Sequence, residues 1–164
     1  MAADLTLADD FKLAMRRLAT TIAIITTGKQ ENWSGMAATA VMSVTSEPPT
    51  ILVAVNRNAS LSPVLQTEQR FCVNLLAERH QELVGIFSGG KKGFARFETG
   101  GWVASEEGLP VLPDAVASLI CTTQLTLGVA THTLFVGQVQ RIVNHPTIDP
   151  LIWVDGTFAS AQRI

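Results

Sequence analysis

Gly35-Met36-Ala37-Ala38-Thr39-Ala40-Val41-Met42-Ser43-Val44-Thr45-Ser46-Glu47-Pro48-Pro49 is the stretch that decides the fold. Its loose apolar–polar alternation reads as a strand over 36–45. The two prolines stop it, and Thr50-Ile51-Leu52-Val53-Ala54-Val55-Asn56 begins another. Working outward, the β-branched run 21–27 is a strand before it, so the three form a meander. Further strands are read at 71–76, 116–127, 133–143 and 151–155, the two long ones joined across Gly128 to His132. Helices are read at 9–20, from Ser62 as N-cap with Pro63 at the first helical position to Gln69, and at 78–87. Residues 91–114 are loop-rich. No regular βαβ alternation is present. An antiparallel barrel with a few packed helices fits better than a doubly wound parallel sheet.

The small side chains of 35–46 let something flat approach the backbone closely, and their hydroxyls and N–H groups can hold polar or anionic atoms. The rest of the composition narrows the class. Only 16% of the 164 residues are charged, against 47% hydrophobic. A soluble domain carries about 25% charged residues. That shortfall points to an apolar face shared between subunits. A net charge of −2 gives no basic footprint for nucleic acid. No apolar run reaches the roughly 20 residues of a membrane span. Met1 to Asp10 is acidic and lacks the basic start of a signal peptide. Cys72 and Cys121 sit in apolar runs without zinc spacing, which reads as reduced buried thiols in a cytoplasmic protein. No metal site is expected.

Few residues carry chemistry by type alone. The turn Asn56-Arg57-Asn58-Ala59-Ser60 joins a strand end to a helix start and reads either as an anion site or as an Asx-rich cap. Ser88-Gly89-Gly90-Lys91-Lys92-Gly93 reads either as a solvated basic turn or as a phosphate contact; it follows a helix, unlike a P-loop. His80, among Glu78, Arg79 and Glu82, reads as solvated, and His145 as a loop residue without a partner. His132 stands at the hinge of the two long strands, where it can reach a barrel mouth. No GxSxG, HExxH or GxxxxGK[ST] motif is present.

The segment from Gly35 to Ser60 resembles the signature of the short-chain flavin reductases, G-[FIM]-T-A-[ST]-A-x-x-S-V-[ST]-x-x-P-P, with Ala37 in place of the usual Thr. The resemblance continues through Phe71–Leu76, Phe87–Gly89, Ala95–Glu98, Gly108–Leu112 and Leu151–Asp155. Before the penultimate strand, 133–143, the family often carries G-[DT]-H; here Ala130-Thr131-His132 keeps the histidine and loses the glycine. The match spans a single domain over about 10–160.

This resemblance implies a mainly β, antiparallel Greek-key split barrel that forms homodimers. It implies NAD(P)H-dependent reduction of free FMN or FAD, with reduced flavin diffusing to a separate flavin-dependent oxygenase. The ring is expected over Ala38, Thr39 and Ala40, with Ala37, Val41 and Val44 on the same strand. Ser43, Asn56, Arg57 and Ser60 are expected to hold the ribityl and phosphate groups. Phe87, Ser88, Gly89, Arg96 and Phe97 are expected on the far side of the pocket, and His132 beside NADH or NADPH, orienting the nicotinamide. A split barrel that binds flavin without turning over NAD(P)H is the alternative.

Overall fold

The computed structural model describes residues 6–164. Helix α1 (Leu7–Met15) opens it, capped by Thr6, whose hydroxyl accepts the Asp9 N–H at 3.2 Å. Then come β1 (Thr20–Thr21), β2 (Ala23–Thr27), β3 (Ser34–Ala38), β4 (Val41–Ser46), β5 (Pro49–Asn56), α2 (Leu61–Glu68), β6 (Arg70–Leu75) and α3 (Gln81–Gly85). The chain closes with β7 (Val103–Ala104), β8 (Pro110–Val111), β9 (Ala117–Val129), β10 (His132–Asn144), β11 (Leu151–Val154) and β12 (Thr157–Ser160).

Seven strands form one antiparallel sheet in the order β3-β2-β6-β9-β10-β5-β4. β3 and β4 follow each other in sequence yet form the two edges of the sheet. The single strand read over 36–45 is therefore two, and the meander is broken. Thr39 and Ala40 carry the chain across the opening, where the Val41 N–H donates to the Thr39 carbonyl at 2.9 Å. The barrel is split at this point. Edge strands present unpaired backbone donors and acceptors, so the opening is lined by them.

The sheet's inner face holds Ile25, Val53, Val55, Phe71, Val73 and Phe135, all fully buried, and α2 closes one mouth with Leu61 and Leu65. Packing there is tight: a Cβ on Gly137 would lie 2.5 Å from Phe71 Cζ and 3.0 Å from Cys121 Cβ. Outside β2 and β3, a second cluster of Ile24, Leu76, Phe87, Phe97 and Leu112 is topped by Trp33 and Trp102. Asn74 pins the long loop to the sheet. Its amide donates to Ile24 O at 3.1 Å and to Thr26 Oγ1 at 3.3 Å, and its Oδ1 accepts from Leu112 N and Ser118 Oγ, each at 3.0 Å. A buried amide satisfied this fully fixes one arrangement.

Several local expectations are corrected. The first helix spans Leu7–Met15 and not 9–20, because Thr6 caps it before Leu7. Ser60, and not Ser62, is the N-cap of α2; Ser62 is buried inside the helix. The helix read at 78–87 is a 3₁₀ turn, a five-residue α3 and a π-turn over Ile86–Gly90. The last strand is a hairpin, β11 with β12, and β1 pairs with β11. His80 is buried, not solvated. Its Nδ1 accepts the Ala77 N–H at 3.0 Å and its Nε2 lies 3.1 Å from Asp114 Oδ1. The charged neighbours in sequence hid this, because Asp114 arrives from the distant loop. His145 has a partner too, the Thr147 N–H at 3.1 Å. Both cysteines are free and buried, as read. Burial pushes the Cys121 thiol up to about 12 and raises Cys72 as well. Among the described residues, no helix is long and apolar enough to cross a membrane.

Candidate active site

A cleft of about 360 Å³ lies at the split. Its floor is the β3–β4 crossing, Met36 to Ala40. Asn56 and His132 form one wall, Val84 and Ser88 another, and Trp153 stands at its rim. Small side chains from 37 to 40 leave backbone exposed where the two sheet edges part. The volume is in the range of small-molecule sites.

His132 is the first residue of β10 and pairs with Asn56 of β5 and Val129 of β9. Side chains directly opposite in an antiparallel pair share one face. Asn56 and His132 therefore point together onto the outer face of the sheet. The His132 Nδ1 lies 2.8 Å from Thr131 Oγ1. That fixes the ring, and its Nε2 has no hydrogen-bond partner among the described residues. The turn before it places Ala130 at φ 47°, in the left-handed region at the position where two-residue hairpins favour glycine. Ser88 lines the cleft from the non-helical part of the π-turn, where Gly89 follows it at φ 112°, a backbone that side-chain-bearing residues rarely adopt.

Not every expected residue lines this cleft. Ala37, Ala38, Thr39, Ala40, Asn56, Ser88 and His132 do. Val41 packs against the barrel core. Ser43 pairs with Ile51, which turns its hydroxyl to the inner side of β4, away from Asn56. Val44 is exposed at the bulge of β4. Phe87 and Phe97 belong to the buried aromatic cluster, in edge contact at 5.2 Å. Phe87 supports β3 from behind: a Cβ on Gly35 would lie 2.9 Å from its ring. Gly89 shapes the π-turn without lining the cleft. Arg57 lies over Gly128, whose Cβ would meet its guanidinium at 2.5 Å, on the far side of the hairpin.

Ser60 and Arg96 come together at the other end of β3. Arg96 donates from Nε to Lys91 O at 2.8 Å and from Nη1 to Gly35 O at 2.9 Å and Ser60 Oγ at 3.3 Å. Its Nη2 makes no hydrogen bond among the described residues. Gly35 to Thr39 spans about 13 Å of strand, so Arg96 and the cleft residues lie along one open edge. Ile22, Met36, Ala54, Val84 and Trp153 also line the cleft and are not among the site residues the sequence singles out. Ala54 was within reach: it is two residues from Asn56 on one strand and so shares its face. Trp153 comes from a separate small sheet, which no local pattern announces.

The model of the Flavin reductase like domain matches residues 15–162. The chain belongs to this family. A relative from Cronobacter turicensis, named FMN reductase (NADH) RutF, is 37% identical over 153 residues, covering 93% of this chain and 92% of its own. The crystal structure of a putative flavin reductase from Haemophilus somnus superposes with a TM-score of 0.90 at 29% identity, covering 96% of this chain and all of that one. The Streptomyces globisporus NADH:FAD oxidoreductase SgcE6, solved with NAD and FAD fragments, superposes with a TM-score of 0.86 at 27% identity, covering 96% of each chain. The antiparallel split barrel of the flavin reductases is thus the fold of this chain, and its sheet edges part where the family signature runs.

Proposed function

We propose that this chain is an NADH-dependent flavin reductase whose flavin lies along the open edge of β3, ring over Ala38–Ala40 and phosphate toward Arg96 and Ser60. The observation that carries this reading is the cleft at the parted sheet edges, with Asn56 and His132 facing it. The residues fit such a group. Backbone N–H and C=O groups at the parted edges can pair with a heterocycle's polar rim, and Arg96 keeps a free guanidinium nitrogen for an anion. A flavin held there would supply the redox chemistry, as the acceptor of a hydride from a reduced nicotinamide. The chain's own work is placement. Ala38 to Ala40 allow close approach, and holding two rings at about 3–3.5 Å is where most of the rate comes from. His132, its Nδ1 held by Thr131, presents Nε2 to the nicotinamide carboxamide. A proton-transfer dyad is not needed for hydride transfer.

The product passes by diffusion to a separate flavin-dependent oxygenase. A cytoplasmic location accords with two buried free thiols. The working unit is the domain over 10–160, as a homodimer. The outer face of the sheet supports this. Cross-strand rows Met42–Leu52–Val136–Leu125 and Ala54–Leu134–Leu127 make much of it apolar. Leu125 and Leu127 are 59% and 55% exposed there, and exposed apolar side chains grouped on one face mark an interaction surface. Leu127→Glu should convert a dimer to monomer in light-scattering chromatography; an unaltered mass removes this face as the interface. For the function, NADH absorbance is followed with protein and FMN. Steady loss requiring both supports the reductase, and flavin binding without turnover supports the binding-module alternative.

A further inference from the structure

A second cavity, of about 390 Å³, opens at the mouth of the barrel between α2 and the β9–β10 hairpin. Strand alternation puts it on the opposite face of the sheet from the cleft. His132 faces the cleft, so Thr133 and Phe135 point the other way, and their cross-strand partners Gly128 and Thr126 share that inner face. Phe135 and Leu65 of α2, both fully buried, floor the cavity. Beyond Phe135 the core ends, because the inner-face positions nearer the hairpin turn carry threonine and glycine. The Thr123 N–H donates to Gln69 O at 2.9 Å and fixes the end of α2 over this mouth.

The polar groups of this cavity are uncommitted. The Thr123 hydroxyl is shut off from solvent and has no hydrogen-bond partner among the described residues. Thr133 is only 7% exposed, and its hydroxyl makes no hydrogen bond among them either. A buried hydroxyl left orphaned is costly unless something satisfies it. The side chains of Gln66 and Gln69 line the same space. Arg57 stands at the rim: its Nη2 would meet a Cβ on Gly128, on this inner face, at 2.5 Å. It pairs with no carboxylate among the described residues, and no acidic side chain lines the cavity. We propose that this mouth is a binding site for a small organic carboxylate, separate from the flavin cleft. The carboxylate lies toward Arg57 and Thr133, the hydrocarbon on Leu65 and Phe135, and a polar far end meets Thr123 and Gln69. A water molecule satisfies one hydroxyl and leaves the cation unpaired and the apolar floor bare. Inorganic phosphate leaves the floor bare as well.

The test titrates the full chain with levulinate (4-oxopentanoate), whose ketone supplies the polar far end, and follows backbone amide chemical shifts with and without FMN. Saturable shifts should appear at Thr123, Thr133 and Gln69, with the same midpoint in both conditions. The neutral levulinamide should bind about tenfold more weakly, because it loses the charge-assisted bond. Arg57→Gln, at an exposed position that leaves the fold intact, should weaken levulinate about tenfold, and Thr133→Val about fivefold. Absence of a saturable shift, or a midpoint that moves less than twofold in both variants, overturns the proposal. Shifts centred on Asn56 and His132 and abolished by FMN overturn it too, since they place the acid in the cleft. A saturable response to inorganic phosphate with none to levulinate overturns the assignment to an organic acid. None of these outcomes bears on flavin reduction, which the NADH assay above reads separately.

Discussion

His132→Ala should raise the KM for NADH and leave flavin affinity nearly unchanged. The ring begins β10 opposite Asn56, is only partly exposed, and is oriented by Thr131 Oγ1 at 2.8 Å from Nδ1. Its free Nε2 offers one hydrogen bond to a neutral amide. One such bond contributes about 0.5–1.5 kcal/mol net, which converts to a KM rise of about 2- to 12-fold. Thr131→Val removes only the orienting bond, so its effect should be smaller. The double variant should match His132→Ala alone, since the two side chains act as one unit. The assay is steady-state NADH oxidation at saturating FMN, with FMN affinity measured separately by fluorescence quenching. Flavin affinity should change less than twofold. An NADH KM unchanged in His132→Ala, or a loss of flavin affinity as large as the NADH effect, would refute this positioning role.

Other perturbations test separate links. Ala40→Leu, at the exposed crossing, should abolish flavin binding by occupying the ring's place, with melting temperature unchanged; retained affinity in a titration would move the ring elsewhere. Ala38→Leu is a less clean probe, because Ala38 also packs on the barrel core. Gly137→Ala should destabilise the fold by about 1–3 kcal/mol through overpacking against Phe71, read from denaturant unfolding. Burial holds the His80 pKa below its ordinary value of 6.5, against the opposing pull of Asp114. Arg79 and Asp149 are the other charges facing it. A depressed histidine pKa means the unfolded chain binds the extra proton first. His80's contribution is therefore complete above about pH 6.5 and is lost as pH falls through the folded value. Melting temperature should drop from pH 7.5 to 5.5, and the drop should shrink in His80→Gln.

How much of this was legible in the sequence depended on whether the signal was local. Alternation and β-branching gave the long strands of the sheet and the antiparallel class, since each strand's pattern is set by its own two faces. The break at Thr39–Ala40 was not legible, because a residue's strand period does not say whether its neighbour lies beside it or across an opening. The cleft residues on that stretch, with Asn56, Ser88 and His132, were named in advance. Ser43, Phe87 and Phe97 lie outside the cleft for a common reason: motif membership marks a residue as needed without telling cleft from core. Register places Ser43, and burial places the two phenylalanines. His80 shows the reverse error, where charged sequence neighbours masked a ring whose partner lies 34 residues away.

Anaerobic mixing of the protein with one equivalent of FMN and a slight excess of NADH tests the central claim most directly, with flavin absorbance followed in a stopped-flow instrument. The account predicts rapid bleaching of the flavin band with loss of one NADH per flavin, slowed in Ala40→Leu. Bleaching no faster than that of FMN and NADH without protein would contradict it.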